Sequence, residues 1–210
     1  MAEAEATVAM AEATEASDPV ARLRQAIAER GIVRTDPTSR ELLRLDGGGV
    51  YRWQFYMRGP LLSAEAMRAI GEDFWARNAA GYAEAPFQVA AIETAGVPVL
   101  TGILMAAERY GITPNAFTIR KEPKSYGLRN RLEGQPNDLP VVLVDDLASP
   151  QHNAFWGAVH ALREARLRLW RAAYVVVFKM ANVTAPVKLR TTIGEVELQS
   201  LYTLDDFGLQ

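Results

Sequence analysis

The stretch that most constrains this chain is Val141 to Asn153, V-V-L-V-D-D-L-A-S-P-Q-H-N, where a short apolar run meets two adjacent aspartates and then an amphipathic pattern. Val141-Val142-Leu143-Val144 is too short and too β-branched for a buried helix, and it suits a central parallel strand covered on both faces. Phe155, Ala158, Val159, Leu162 and Ala165 recur at helical spacing, which predicts a helix from Ala154 onward. An acidic pair at a strand's carboxyl end, followed by a short loop and a helix amino terminus, lies where open α/β sheets bind their ligands. Carboxylates there accept from hydroxyls and helix amides donate to phosphate, so the segment suits a sugar phosphate.

The rest of the chain supplies strands and helices for such a sheet. Phe87 to Ile92, Ala116 to Arg120 and Ala173 to Phe178 read as apolar strands, and Leu198 to Phe207 as a last short strand with a terminal turn. Asp18-Pro19 marks a helix start, with Val20, Leu23, Ile27 and Ala28 as its stripe and Gly31 as its end. Ser63 to Arg77 is a second helix capped by Ser63, and Val97 to Tyr110 a third that tolerates Pro98 in its first turn. Leu42 to Tyr56 reads as two strands reversing at Asp46-Gly47-Gly48-Gly49. Met1 to Ser17, rich in alanine and glutamate, is expected to be a disordered or fraying tail ahead of one domain over 18–210.

Composition narrows the function classes. A chain of 210 residues with 49% hydrophobic content can bury one sizeable core. The formal charge of −2 gives no reason to expect a large nucleic-acid-binding face. Zero cysteines exclude disulfides, thiolate catalysis and cysteine metal sites, and with no signal-like segment they fit a cytoplasmic protein. No apolar run reaches the length of a membrane span. His152 and His160 are the only imidazoles, so a histidine-built metal site is not expected.

Val141 to Asn153 resembles the phosphoribosyl-pyrophosphate signature of type I phosphoribosyltransferases, in which a hydrophobic strand leads to two acidic residues and a phosphate loop. Phe117 to Gly127, F-T-I-R-K-E-P-K-S-Y-G, is similar to the catalytic loop of the orotate phosphoribosyltransferases, Arg-Lys-Glu-x-Lys-x-His-Gly. The resemblance runs from about Val20 to the chain end, where L-Q-S-L-Y-T-L-D-D-F is also similar. It implies an α/β fold with a mostly parallel five-stranded sheet flanked by helices and a small N-terminal hood. It also implies transfer of a phosphoribosyl group from phosphoribosyl pyrophosphate to a nucleobase, with release of pyrophosphate. Lys121, Lys124, Asp145 and Asp146 would carry the chemistry, the aspartates holding ribose hydroxyls and Mg2+ bound mainly through the substrate's oxygens. Arg120, Tyr126, Thr94, Gly96, Ser149, Gln151, His152, Asn153 and Lys179 would bind substrate. The basic loop would cover the neighbouring subunit's site, which implies a homodimer.

The chain departs from the family pattern at substrate-facing positions. Ser149-Pro150-Gln151-His152-Asn153 replaces Thr-Thr-Gly-Gly-Ser/Thr, so no glycine remains and Pro150 removes an amide donor. Side-chain donors on Ser149, Gln151, His152 and Asn153 offer a compensated phosphate site; otherwise normal substrate binding is lost. Tyr126 stands for the histidine, and Phe178-Lys179 for an Asp-Arg pair in which the arginine binds orotate. Asp46 aligns with a base-binding lysine, unless Arg44 serves in a shifted register. Three functions follow: an active phosphoribosyltransferase, a catalytically impaired relative that binds a ligand or regulates, and a nucleic-acid-binding regulator using the basic loop.

Overall fold

The structure, a computed structural model, describes residues 18–36, 38, 43–44, 50–122, 131–149, 153–170, 172–191 and 194–209. The proposed tail and the turn Asp46 to Gly49 lie outside them. The chain divides into two compact units, 1–66 and 67–210.

In the first unit, helix α1 (Pro19–Ala26) begins as the sequence predicts: Asp18 accepts from the amide of Val20 at 3.0 Å, and Pro19 fills the first turn. A π-helical turn over Ile27–Gly31 prolongs it to the expected glycine. Strand β1 (Ile32–Arg34) follows, then β2 (Leu43–Arg44), β3 (Val50–Tyr51) and β4 (Trp53–Phe55). The hairpin across the glycines is present, with Arg44 opposite Val50. Its continuation differs from the expectation, because Trp53–Phe55 pairs with β1 instead. A short helix α2 (Arg58–Leu61) leads to Ser63, which caps α3 (Ala64–Glu84) by accepting from the amide of Ala66 at 3.2 Å. Helix α3 runs well past the expected Arg77, since Asn78 serves the core through Gln199 at 2.9 Å.

The second unit contains a 7-stranded sheet in the order β10-β11-β9-β8-β5-β6-β7. Its parallel strands are β5 (Gln88–Ile92), β6 (Ala116–Ile119), β8 (Val141–Ala148), β9 (Ala172–Phe178) and β11 (Gly194–Thr203). These are the expected five, while β7 (Leu132–Gly134) and β10 (Val187–Thr191) add antiparallel edges. One face carries α3 and α4 (Val97–Ala107), the latter followed by a tighter turn, Glu108–Tyr110. These helices cross closely: a Cβ on Gly71 would lie 2.0 Å from the Gly102 carbonyl oxygen, so only glycine fits. Trp75 donates to the carbonyl of Ile103 at 2.7 Å, and its ring stacks on Phe87 at 6.0 Å.

The other core contains Phe155, Val159 and Leu162 of α5 (Asn153–Glu164), packed with Val141, Leu143, Val175 and Leu198. Ala165, expected in the helical stripe, lies beyond the helix end and is exposed. Among the described residues, no helix is long and apolar enough to cross a membrane.

Candidate functional site

Strand order places the site. From β5 the chain moves outward to β6, then returns past β5 to β8 and continues outward in the opposite direction through β9 and β11. The reversal lies between β5 and β8, and ligands of open α/β sheets bind outside the carboxyl ends of strands at such a switch point. Pairing of β8 with β5 stops at Val144, whereas pairing with β9 continues from Val144 to Ala148. Asp145 and Asp146 follow the last rung with β5, where one neighbour has withdrawn and the other has not. This corrects the sequence reading in one respect: the aspartates stand inside an eight-residue strand rather than after a four-residue one.

The turn after β5 is packed against the same point. A Cβ on Gly96 would meet the Ile92 carbonyl oxygen at 2.8 Å and that of Val144 at 3.0 Å, so glycine permits this approach. The Gly96 amide donates to the Ile92 carbonyl at 3.0 Å, and the Glu93–Thr94 peptide is cis. Thr94 is exposed. Among the described residues, nothing accepts from the amides of Thr94 and Ala95, which are free to donate to an anion.

Asp145 and Asp146 are buried, and the Asp146 amide donates to Oδ1 of Asp145 at 2.9 Å. Burial pushes the Asp145 carboxyl well above the usual carboxylate range, and the charge of Asp146 adds to the effect. Burial raises Asp146 too, against hydrogen bonds that favour its ionised form. The positive charge of Lys121 draws both back down. Lys179 follows β9, its amide donating to the Ala148 carbonyl at 2.7 Å. Burial lowers this half-buried ammonium, and Asp146 partly restores it. The fold thus brings Lys121, Asp145, Asp146 and Lys179 into one electrostatic cluster from three strand ends.

Arg120, an expected substrate ligand, stands between two carboxylates. Its Nη1 lies 3.4 Å from Glu93 and 3.6 Å from Glu133, and its buried Nε has no partner among the described residues. Glu93 also accepts from the Thr118 hydroxyl. Ser149 is partly buried just beyond β8, and Asn153 opens α5. Lys124, Tyr126, Gln151 and His152 lie outside the described residues.

No model of a known protein family matches the chain. Orotate phosphoribosyltransferase of Corynebacterium glutamicum (strain R) is 31% identical over 189 residues, covering 90% of this chain and 94% of that protein. The chain belongs to the orotate phosphoribosyltransferase family. Solved structures agree on the type I phosphoribosyltransferase fold. A phosphoribosyltransferase from Corynebacterium diphtheriae matches with a TM-score of 0.66 at 25% identity, over 91% of this chain and 99% of that one. Mycobacterium tuberculosis H37Rv orotate phosphoribosyltransferase in complex with Fe(III) dicitrate matches with a TM-score of 0.65 at 22% identity, over 91% and 99% of the two chains.

Within this family frame, Glu93 and Glu133 are the site neighbours that sequence reasoning passed over. Glu93 carried a usable signal, a charged residue on the turn that ends an apolar strand. Glu133 carried none, since it meets Arg120 only through the β6–β7 pairing.

Proposed function

We propose that this chain transfers a phosphoribosyl group from phosphoribosyl pyrophosphate to a nucleobase, with orotate the acceptor to test first. The observation that carries the reading is the buried aspartate pair beside Lys121 at the sheet's switch point. In the transfer, the bond from the anomeric carbon to the pyrophosphate oxygen breaks with its electron pair, and a ring nitrogen of the base forms the new bond as its proton passes to the departing pyrophosphate or to water. The sugar passes through an oxocarbenium-like state, which nearby carboxylates favour. Asp145 and Asp146 accept from the ribose hydroxyls and supply that negative field. Lys121, joined by Lys124 in the family reading, offsets charge accumulating on the departing pyrophosphate. The Thr94 and Ala95 amides donate to the same group, and Lys179 faces the acceptor's carboxylate.

The donor set fits Mg2+. Two adjacent carboxylates are present, while no cluster of three or more histidine, cysteine or carboxylate side chains occurs among the described residues. A hard cation held mostly by substrate oxygens needs no more than this. Asp145 and Asp146 would hold the ion, which lends positive charge to the pyrophosphate when bound. The reading includes a homodimer in a cytoplasmic setting, with a solution mass twice the 23.1 kDa of the chain.

The deciding experiment incubates the purified protein with phosphoribosyl pyrophosphate, Mg2+ and orotate or other bases, and follows pyrophosphate and nucleotide together. Equal release of both is the expected result. A thermal shift with phosphoribosyl pyrophosphate but no turnover would instead establish a ligand-binding relative without catalysis. Neither shift nor turnover removes the proposal.

A further inference from the structure

Arg120, Lys121, Lys124, Arg129 and Arg131 fall within twelve residues, yet the described contacts of the Arg131 side chain are to backbone carbonyls. Its Nη2 donates to the carbonyl oxygens of Lys121 at 3.1 Å and Gly157 at 3.2 Å, and its Nε to that of Arg120 at 3.5 Å. Its own carbonyl accepts from the Arg120 amide at 2.8 Å. Strands β6 and β7 are antiparallel with Ile119 opposite Leu132, so Arg120 and Arg131 form the next rung and Lys121 is the first residue past it. One guanidinium therefore fastens the backbone beneath Lys121 to α5, the helix that starts directly after the phosphate-loop position. The planar fork of arginine can serve several carbonyls at once, which a single ammonium cannot do in the same geometry. A Cβ on Gly157 would lie 3.6 Å from Arg131 Nη2, an ordinary contact, so only a longer side chain there would crowd the guanidinium.

We propose that Arg131 is a positioning residue for the transfer, fastening the Lys121 backbone to α5 so that the Lys121 ammonium is held toward Asp145 and Asp146. The inference rests on the phosphoribosyl-transfer reading for its kinetic consequence, and on hydrogen bonds alone for its structural one. All acceptors are backbone carbonyls, so the contact fixes where the chain runs rather than how a side chain turns. The attraction between Lys121 and the carboxylates weakens with separation. A displacement of about 1 Å in a positioned group can cost about a hundredfold in rate.

The test compares R131Q, R131K, K121A and the double variant R131Q/K121A. R131Q lowers kcat by about ten- to a hundredfold while KM for phosphoribosyl pyrophosphate changes less than about threefold. R131K recovers only part of the loss. Because Arg131 acts through Lys121, adding R131Q to K121A costs little more than K121A alone. G157L, which pushes the guanidinium away without altering Arg131, reproduces the R131Q profile and covers the case in which R131Q folds poorly. Fully additive losses, or a wild-type kcat in R131Q, overturn the proposal.

Hydrogen exchange gives a readout independent of catalysis. R131Q speeds exchange over 119–122 by about tenfold or more, with the β8 and β9 amides unchanged. Unchanged exchange over 119–122 removes the fastening role even in an active enzyme. Faster exchange in a protein without any turnover leaves the fastening intact and removes the transfer reading instead.

Discussion

Oδ1 of Asp145 accepts the amide hydrogen of its neighbour Asp146 at 2.9 Å, with the two residues only 5% and 8% exposed. Two carboxyls this close and this buried cannot both ionise at ordinary cost, and both are raised above the usual carboxylate range. The native pair therefore keeps protons that the unfolded chain has already lost. Stability from this source is full at low pH and declines as pH rises from the ordinary carboxylate range through the raised native values. Asp145→Asn keeps the oxygen acceptor and removes the charge. Its melting temperature should gain on wild type as pH rises above the ordinary carboxylate range. Transfer should fall by about a hundredfold or more. Thermal melts across pH, beside a pyrophosphate-release assay, check both outcomes.

Lys121 is exposed, yet its charge reaches both aspartates. Lys121→Ala should cost about 10²- to 10³-fold in kcat. Stability should change by no more than about 0.5 kcal/mol, as for an ordinary surface site. Removing the nearby positive charge raises the carboxyls further, so an acid limb that reports the ionised pair moves to higher pH. Kinetics over a pH series reads that shift directly, and an unmoved limb would separate Lys121 from the aspartates.

Gly71 and Gly102 make a prediction about the scaffold alone. A methyl at residue 71 would stand 2.0 Å from the Gly102 carbonyl oxygen and 2.8 Å from the Cβ of Ala106. Both obstacles belong to a packed helix, so relief requires α3 and α4 to move apart. Gly71→Ala should destabilise by about 1–3 kcal/mol or more, despite the better helix propensity of alanine. Urea unfolding gives the change, while kcat per folded molecule should remain that of wild type.

What could be read from the sequence depended on how locally each feature was determined. Val141 to Val144 announced a central strand because every residue is buried and apolar. Its continuation to Ala148 was hidden, since aspartates are depleted from strands and here are tolerated by the ladder to β9. Strand β10 did carry a signal in the alternation of Val187-Lys188-Leu189-Arg190, with Val187 and Leu189 packed on the core. The short β7 carried none. Asp145, Asp146 and Gly96 were legible as candidate site residues because residue type and position agreed. The roles of Arg131 and of Glu93 with Arg120 were not, because they arise from partners distant in sequence.

Tyr174 shows a buried polar group placed for structure rather than chemistry. Its hydroxyl donates to Asp73 at 3.0 Å, and Arg77 holds the same carboxylate through Nε and Nη2. Burial, then the charge of Asp73, pushes the phenol well above its usual range, so it stays a neutral donor. Tyr174→Phe should cost about 1–2 kcal/mol by leaving that carboxylate one donor short. Activity should be unaffected, because the contact lies on the α3 face and away from the switch point. Denaturant midpoints with the kinetic assay distinguish this from any catalytic role.

In the phosphoribosyl-transfer reading, the segment after Ser149 would meet the sugar's 5′-phosphate. Pro150 has no amide hydrogen, and no residue from Ser149 to Asn153 is a glycine able to turn its amide inward at low cost. Replacing Pro150 and Gln151 by glycine should restore donors of the kind that bind phosphate at a helix start. A hydrogen bond to a charged group contributes about 1.5–3 kcal/mol, and about 1.4 kcal/mol is tenfold in affinity. The dissociation constant for phosphoribosyl pyrophosphate should therefore fall about tenfold or more on recovering one bond, as measured by calorimetry. If it does not change, the side chains of Ser149, Gln151, His152 and Asn153 are not inferior to a glycine loop. Replacing His152 by alanine in the unmodified chain would then weaken binding by removing one of those side-chain donors.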